Sequence, residues 1–200
     1  FDISCVDAND GEISLSSIGG DASSYSYEYY SLSNVNQITI NNNVITGLSS
    51  DTYFITALDA QGCSSSAVEV VISPAVELVV DEVNTIQTPS CSSSCDATIQ
   101  IQTSGGAQPY NFSVDGNNNG TNNIVQNVCS GTPLVLITDA NNCLASFTNL
   151  TIPDPVDLTL SATVASNYSS YSISCVGASD GIINVSTTGG SGGEYFYSID

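Results

Sequence analysis

The chain has 200 residues, 20 of them Asp or Glu and none Lys, Arg or His, for a formal charge of −20. Nothing in it can neutralise phosphate, which excludes nucleic acid as a direct partner, and no ion pair between side chains can form. With 41% apolar residues it is no disordered acidic tail, and no apolar run approaches the ~18 residues of a spanning helix, so no membrane insertion is expected.

Along the chain, period-2 alternation dominates and no segment has helical spacing with a cap, which predicts an all-β protein. Residues 5–20 read C-V-D-A-N-D-G-E-I-S-L-S-S-I-G-G. Within them 12–16 is a predicted strand, with Ile13 and Leu15 inward, and Gly19-Gly20 marks a turn or a close backbone approach. Residues 25–32 follow, with Tyr25, Tyr27 and Tyr29 on a core face. Tyr30, on the opposite face, is the better candidate for a sugar platform. Strands over 37–40 and 44–46 flank the turn Asn41-Asn42-Asn43. Residues 52–58 place Tyr53, Ile55 and Ala57 toward the core, Asp59-Ala60-Gln61-Gly62 turns the chain, and 67–72 is the last strand before Pro74.

Val76, Leu78 and Val80 then alternate and open a second round of the same plan. Predicted strands lie at 98–103, 110–114, 124–128, 134–138 and 146–152, with a Gly/Asn loop over 115–123. Val156, Leu158 and Leu160 open a third round. The 5–20 stretch returns at 91–106 and 175–190, a period of about 85 residues that marks an array of small domains. An Asp follows each leading Cys by five positions (Asp10, Asp96, Asp180). A Gly-Gly pair and two aromatics come next: Tyr25/Tyr27, Tyr110/Phe112, Tyr195/Tyr197. Three repeats follow: 1–74 without its first strand, 75–154 complete, and 155–200 as the front part of a third. Links at 73–75 and 153–155 are short and contain Pro, which makes semi-rigid joints. About seven short strands per repeat, with turns every eight to twelve residues, predict tandem immunoglobulin-like β-sandwiches with disulfides.

Seven cysteines need partners. Cys5 and Cys63 bracket the first repeat, and Cys91 and Cys143 bracket the second at matching positions, so two bonds within repeats are expected. Cys95 and Cys129 replace Asn9 and Ser49 in the second repeat alone, which predicts a local bridge between them. The partner of Cys175 is expected beyond residue 200. Disulfides imply an oxidising, extracellular setting and thicken what a thin core can hold.

Catalysis is not expected. The missing His, Lys and Arg remove most general bases and oxyanion clamps, and the adjacent carboxylates Asp81-Glu82 read as solvated surface rather than a glycosidase pair. No other cofactor is expected beyond calcium, for which Asp7, Asn9 and Asp10 offer oxygens at near-alternate positions before a Gly. The competing reading of the recurrent Asp is a cap on a turn.

The C-x5-G start, Gly-Gly before an aromatic pair, a Thr-Tyr strand opening, D-A-x-x-C before the last strand and the link I-x-P-x-x-x-L together resemble the SprB-type repeat of bacterial gliding-motility surface adhesins. The match runs over nearly the whole chain in three registers, departing at Pro133 and at the missing Gly at 97. The resemblance implies a very large secreted protein, exported by the type IX pathway and displayed on the cell surface. Its implied role is to grip a substratum or surface polysaccharide during gliding, with other repeats of the same chain as neighbours. Two further readings compete: a carbohydrate-binding array of a secreted enzyme, and a subunit of an extracellular filament in which chains donate strands.

Overall fold

The computed structural model describes residues 1–21, 23–190 and 194–199. Fifteen strands and no helix occur among them, so the protein is all-β. By Cα proximity the chain parts into two compact units. One is Phe1–Asp81 with Thr103–Phe112 and Leu136–Ser146; the other is Glu82–Gln102 with Ser113–Val135 and Phe147–Asp200.

Six strands come from residues 1–74: β1 (Gly11–Ser14), β2 (Tyr25–Ser31), β3 (Ile38–Ile40), β4 (Val44–Leu48), β5 (Asp51–Asp59) and β6 (Val68–Ile72). They form a β1-β4 pair and a four-stranded sheet ordered β3-β2-β5-β6. The antiparallel register sets Tyr27 opposite Ala57 and Tyr29 opposite Ile55. One face of β2 and β5 therefore carries aromatic and β-branched side chains together, the arrangement that stabilises a half-buried sheet. Ile3, Ile13, Tyr27, Ile45, Leu48, Tyr53, Ile55 and Ile72 are buried as one core, with Leu15, Tyr25, Tyr29 and Ala57 packed on it. On the far face Tyr30 stacks on Phe54 with ring centroids 5.1 Å apart, so it is half-covered by its own sheet.

Residues 75–154 supply β7 (Val79–Gln87), β8 (Ala97–Ser104), β9 (Asn111–Val114), β10 (Asn117–Gly120), β11 (Ile124–Val128), β12 (Val135–Thr138) and β13 (Leu144–Phe147). Their sheets are ordered β11-β8-β7 and β10-β9-β12-β13. The second order repeats β3-β2-β5-β6 strand for strand, and β8-β11 repeats β1-β4, with β7 added at the edge. Ile99, Val135 and Ile137 are fully buried. β14 (Thr159–Val164) pairs with β15 (Ile183–Thr188), and this ribbon leaves Leu158, Leu160 and Ile183 exposed.

Several strands differ from the sequence expectation, among them β1, which ends at Ser14 rather than at 16. β10 lies inside the predicted loop 115–123, where Asn119 donates to the carbonyls of Asn122 and Ile124 and so satisfies a segment of poor strand formers. β7 starts at Val79, after Val76 and Leu78 of the expected alternation, and runs through Asp81-Glu82 to Gln87. Its acids face outward, accepting from Ser104 and Gln102, while Val83 is buried. β13 runs over Leu144–Phe147, so most of the predicted strand 146–152 lies outside it, and Ile152 forms only an isolated bridge with Gly131.

Candidate functional site

The repeated stretch builds one turn three times. Ala8, Ser94 and Ala178 each donate N–H to the carbonyl of the leading cysteine (Cys5, Cys91, Cys175) at 3.0, 3.1 and 3.0 Å. The residue two after that cysteine is left-handed each time: Asp7 at φ 60°, Ser93 at 61° and Gly177 at 83°. That is why Gly can stand where Asp stands in the first copy. The recurrent Asp ties the turn down. Asp10, Asp96 and Asp180 accept the N–H of the serine six residues earlier (Ser4, Ser90, Ser174) at 3.0, 3.0 and 3.1 Å. The neighbouring Ser4 hydroxyl, then its N–H, hold the Asp10 carboxyl below its ordinary value. At Asp96 the Ser90 hydroxyl and N–H, joined by the Ser94 hydroxyl, hold it down at about 2.

Asp10 therefore does the work of a turn cap. Asp7, Asn9 and Asp10 lie exposed on this turn, and among the described residues no three His, Cys, Asp or Glu side chains come together as a metal site.

The D-A-x-x-C motif is a second carboxylate-centred turn. Asp139 accepts N–H from Asn141 at 2.9 Å and Cys143 at 2.8 Å on one oxygen, and from Ala107 at 2.8 Å on the other. Asp59 does the same for Gln61, Cys63 and Asp21 at 2.9, 2.8 and 3.0 Å. These N–H groups, that of Asp21 first, lower the Asp59 pKa. The carboxylate leaves no room for a Cβ on the second Gly of the first two Gly-Gly pairs. One would stand 2.7 Å from Asp59 Oδ2 at Gly20 and 2.7 Å from Asp139 Oδ2 at Gly106. The first Gly faces the leading segment of its own repeat: a Cβ on Gly105 would meet the Glu77 carbonyl at 1.8 Å, and one on Gly189 the Asp157 carbonyl at 1.9 Å. The first tyrosine of each aromatic pair locks that Gly, its hydroxyl donating to the Gly19, Gly105 or Gly189 carbonyl.

Cysteine pairing follows expectation at one bond and departs from it at the other. Cys95 bonds Cys129, as the two local substitutions predict. Cys5 bonds Cys143, not Cys63, with Cα atoms 5.6 Å apart. Cys63 and Cys91 are free and exposed, as is Cys175. The bonds Cys5–Cys63 and Cys91–Cys143 are thus both corrected. A disulfide needs Cα atoms within about 7 Å, and it is the second D-A-x-x-C turn that reaches the first leading turn. There Asn141 also donates its side-chain amide to the Ser4 carbonyl at 3.1 Å. The period identifies equivalent cysteines but cannot say which repeat supplies the partner.

One groove stands out in the first stretch, about 580 Å³, lined among others by Ile13, Leu15, Tyr25, Tyr27, Ala57 and Val70. In the second stretch the corresponding Gly106 lies under Leu78 of the leading segment, and its N–H donates to the Val76 carbonyl at 3.2 Å. No helix among the described residues is long and apolar enough to cross a membrane. No protein-family model matches the chain, and no curated protein matches it.

Proposed function

We propose that the chain is a load-bearing segment of a large bacterial cell-surface adhesin, made of tandem immunoglobulin-like β-sandwiches and resembling the gliding-motility adhesins. The observation that carries this reading is the threefold recurrence of the serine–aspartate turn, with the bond from the first copy of the plan to the second. A domain that recurs with its turns intact, and is stapled onward to the next, is suited to transmit tension. The strand orders support the sandwich: the first repeat has a two-stranded and a four-stranded sheet, and the second a three-stranded and a four-stranded sheet. Tyr53, at the start of β5, donates its hydroxyl to the Ser49 carbonyl at 3.0 Å, as the corner tyrosine of immunoglobulin-like domains does. Two disulfides accord with an oxidising, extracellular setting. The reading contains no reaction; its partner is a surface polysaccharide or substratum.

The test is single-molecule pulling from the two chain ends. Cys5–Cys143 spans 138 residues, so the oxidised chain should lengthen by only roughly 200 Å, and by roughly 700 Å after reduction. Full lengthening without reductant, or unfolding at negligible force, would defeat the load-bearing role.

A further inference from the structure

Cys63, Cys91 and Cys175 are exposed thiols, and each sits in surroundings that duplicate those of a bonded cysteine. Cys63 donates its N–H to Asp59 as Cys143 donates to Asp139, both at 2.8 Å, in turns closed by the same backbone pair: Asp59 N–H to the Cys63 carbonyl and Asp139 N–H to the Cys143 carbonyl, both 3.0 Å. Cys91 and Cys175 close the same turn as Cys5 and have the same serine–aspartate tie beside them. The one bond that joins the two kinds of turn does not stay within a repeat. It runs from a leading turn to the D-A-x-x-C turn one repeat further on.

We infer that this stagger is the rule of the array: every leading-turn cysteine bonds the D-A-x-x-C cysteine of the following repeat. Cys5–Cys143 is one rung. Cys63 is the receiving half of a rung from a repeat ahead of it, and Cys91 the giving half of a rung to the repeat that opens at residue 155. Cys175 begins the next. The inference rests on the array reading and adds its wiring. Each rung forms by two exchange steps with a disulfide oxidant. One cysteine thiolate attacks the oxidant and expels one of its sulfurs; the second cysteine then displaces the other. The oxidant departs as two thiols, carrying the two electrons, and the protons of the two cysteines are released or taken up by those thiols. A chain wired so has consecutive domains bridged by overlapping covalent loops.

The experiment completes the third repeat. Asp200 occupies the place of Asp115, so residues 116–154 are added again after it, with Cys129→Ser and Leu144→Val in the added copy to remove one thiol and mark the peptide by mass. The chain is refolded with oxidised and reduced glutathione, alkylated, cleaved with chymotrypsin and mapped. The stagger predicts that the added D-A-x-x-C cysteine links to Cys91 and that alkylation of Cys91 falls from complete to negligible. A link to Cys175 instead would overturn the stagger and leave the array standing; both cysteines remaining alkylated would overturn it too. A second variant needs no added segment. In Cys143→Ser the stagger expects Cys5 and Cys63 both to stay alkylated, because it pairs each of these turns only with a turn of a neighbouring repeat. A Cys5–Cys63 link would overturn it. Loss of Tyr53 and Ile55 protection in hydrogen exchange, by contrast, would strike at the repeat fold itself.

Discussion

The first and second repeats share their turns, their strand order and their Gly-Gly pairs, yet the glycines meet different things. A Cβ on Gly105 would run into the Glu77 carbonyl, whereas nothing lies within 4 Å of one on Gly19. The second repeat has its leading segment across the pair; the first has the groove lined by Ile13, Leu15 and Tyr27. The difference shows what the first Gly is for. It lets a backbone carbonyl approach where any side chain would hold it off, and so fixes where the leading segment enters. Tyrosine hydroxyls anchor the same carbonyl in all three copies.

The widest gap between the repeats should open on alanine substitution of these glycines. Gly105→Ala must displace the Glu77 backbone as well as force Ala to φ +70°, with an expected loss of about 4 kcal/mol or more. Gly19→Ala carries only the left-handed backbone, about 1–2 kcal/mol. Denaturant midpoints of the two variants decide it, and equal losses would break the comparison.

A smaller gap is expected at the D-A-x-x-C carboxylates. Asp139 is 5% exposed and holds three N–H groups, so Asp139→Ala should cost about 3 kcal/mol, measured by thermal unfolding. Asp59 holds three as well but is more exposed, and water can replace the carboxylate, so a smaller loss is expected for Asp59→Ala. The reverse order would mean that burial does not set the cost.

The smallest effect is in acid. Asp96 has the Ser94 hydroxyl, at 2.7 Å, where Asp10 has Ala8. Both carboxyls are lowered, so both favour the folded state above their unfolded pKa near 4 and lose that contribution as pH falls, for Asp96 through about 2. Ser94→Ala should raise the Asp96 titration midpoint toward that of Asp10 and shift the onset of acid unfolding slightly upward. Carbon-13 carboxyl titration reads it directly; an unmoved midpoint would remove Ser94 from the account.

Much of this was legible in the residues. Tyr27, Ile55 and Ile13 alternate, and they are core; Cys95 and Cys129 are the two substitutions peculiar to one repeat, and they bond. The recurrent Asp was readable as a cap because an Asp before a strand has short-range N–H donors to serve. What escaped was of two kinds. Asn117–Gly120 has loop composition, yet it is held as an edge strand by side-chain amides that no propensity scale counts. The partner of Cys5 escaped because a repeat makes Cys63 and Cys143 chemically equivalent, and only the folded path distinguishes them. The Gly-Gly pairs could be seen as a close approach, but not what approaches them.

The serine and backbone ties on Asp10, Asp59, Asp96 and Asp139 have a consequence for the water this protein lives in. With no basic side chain, it has no internal charge pair for brine to loosen. Dissolved ions can only shield twenty like charges from one another, within a screening distance of about 8 Å at ordinary tissue strength and less in seawater. Most protein surfaces give up some attraction as salinity climbs; this one gives up only repulsion.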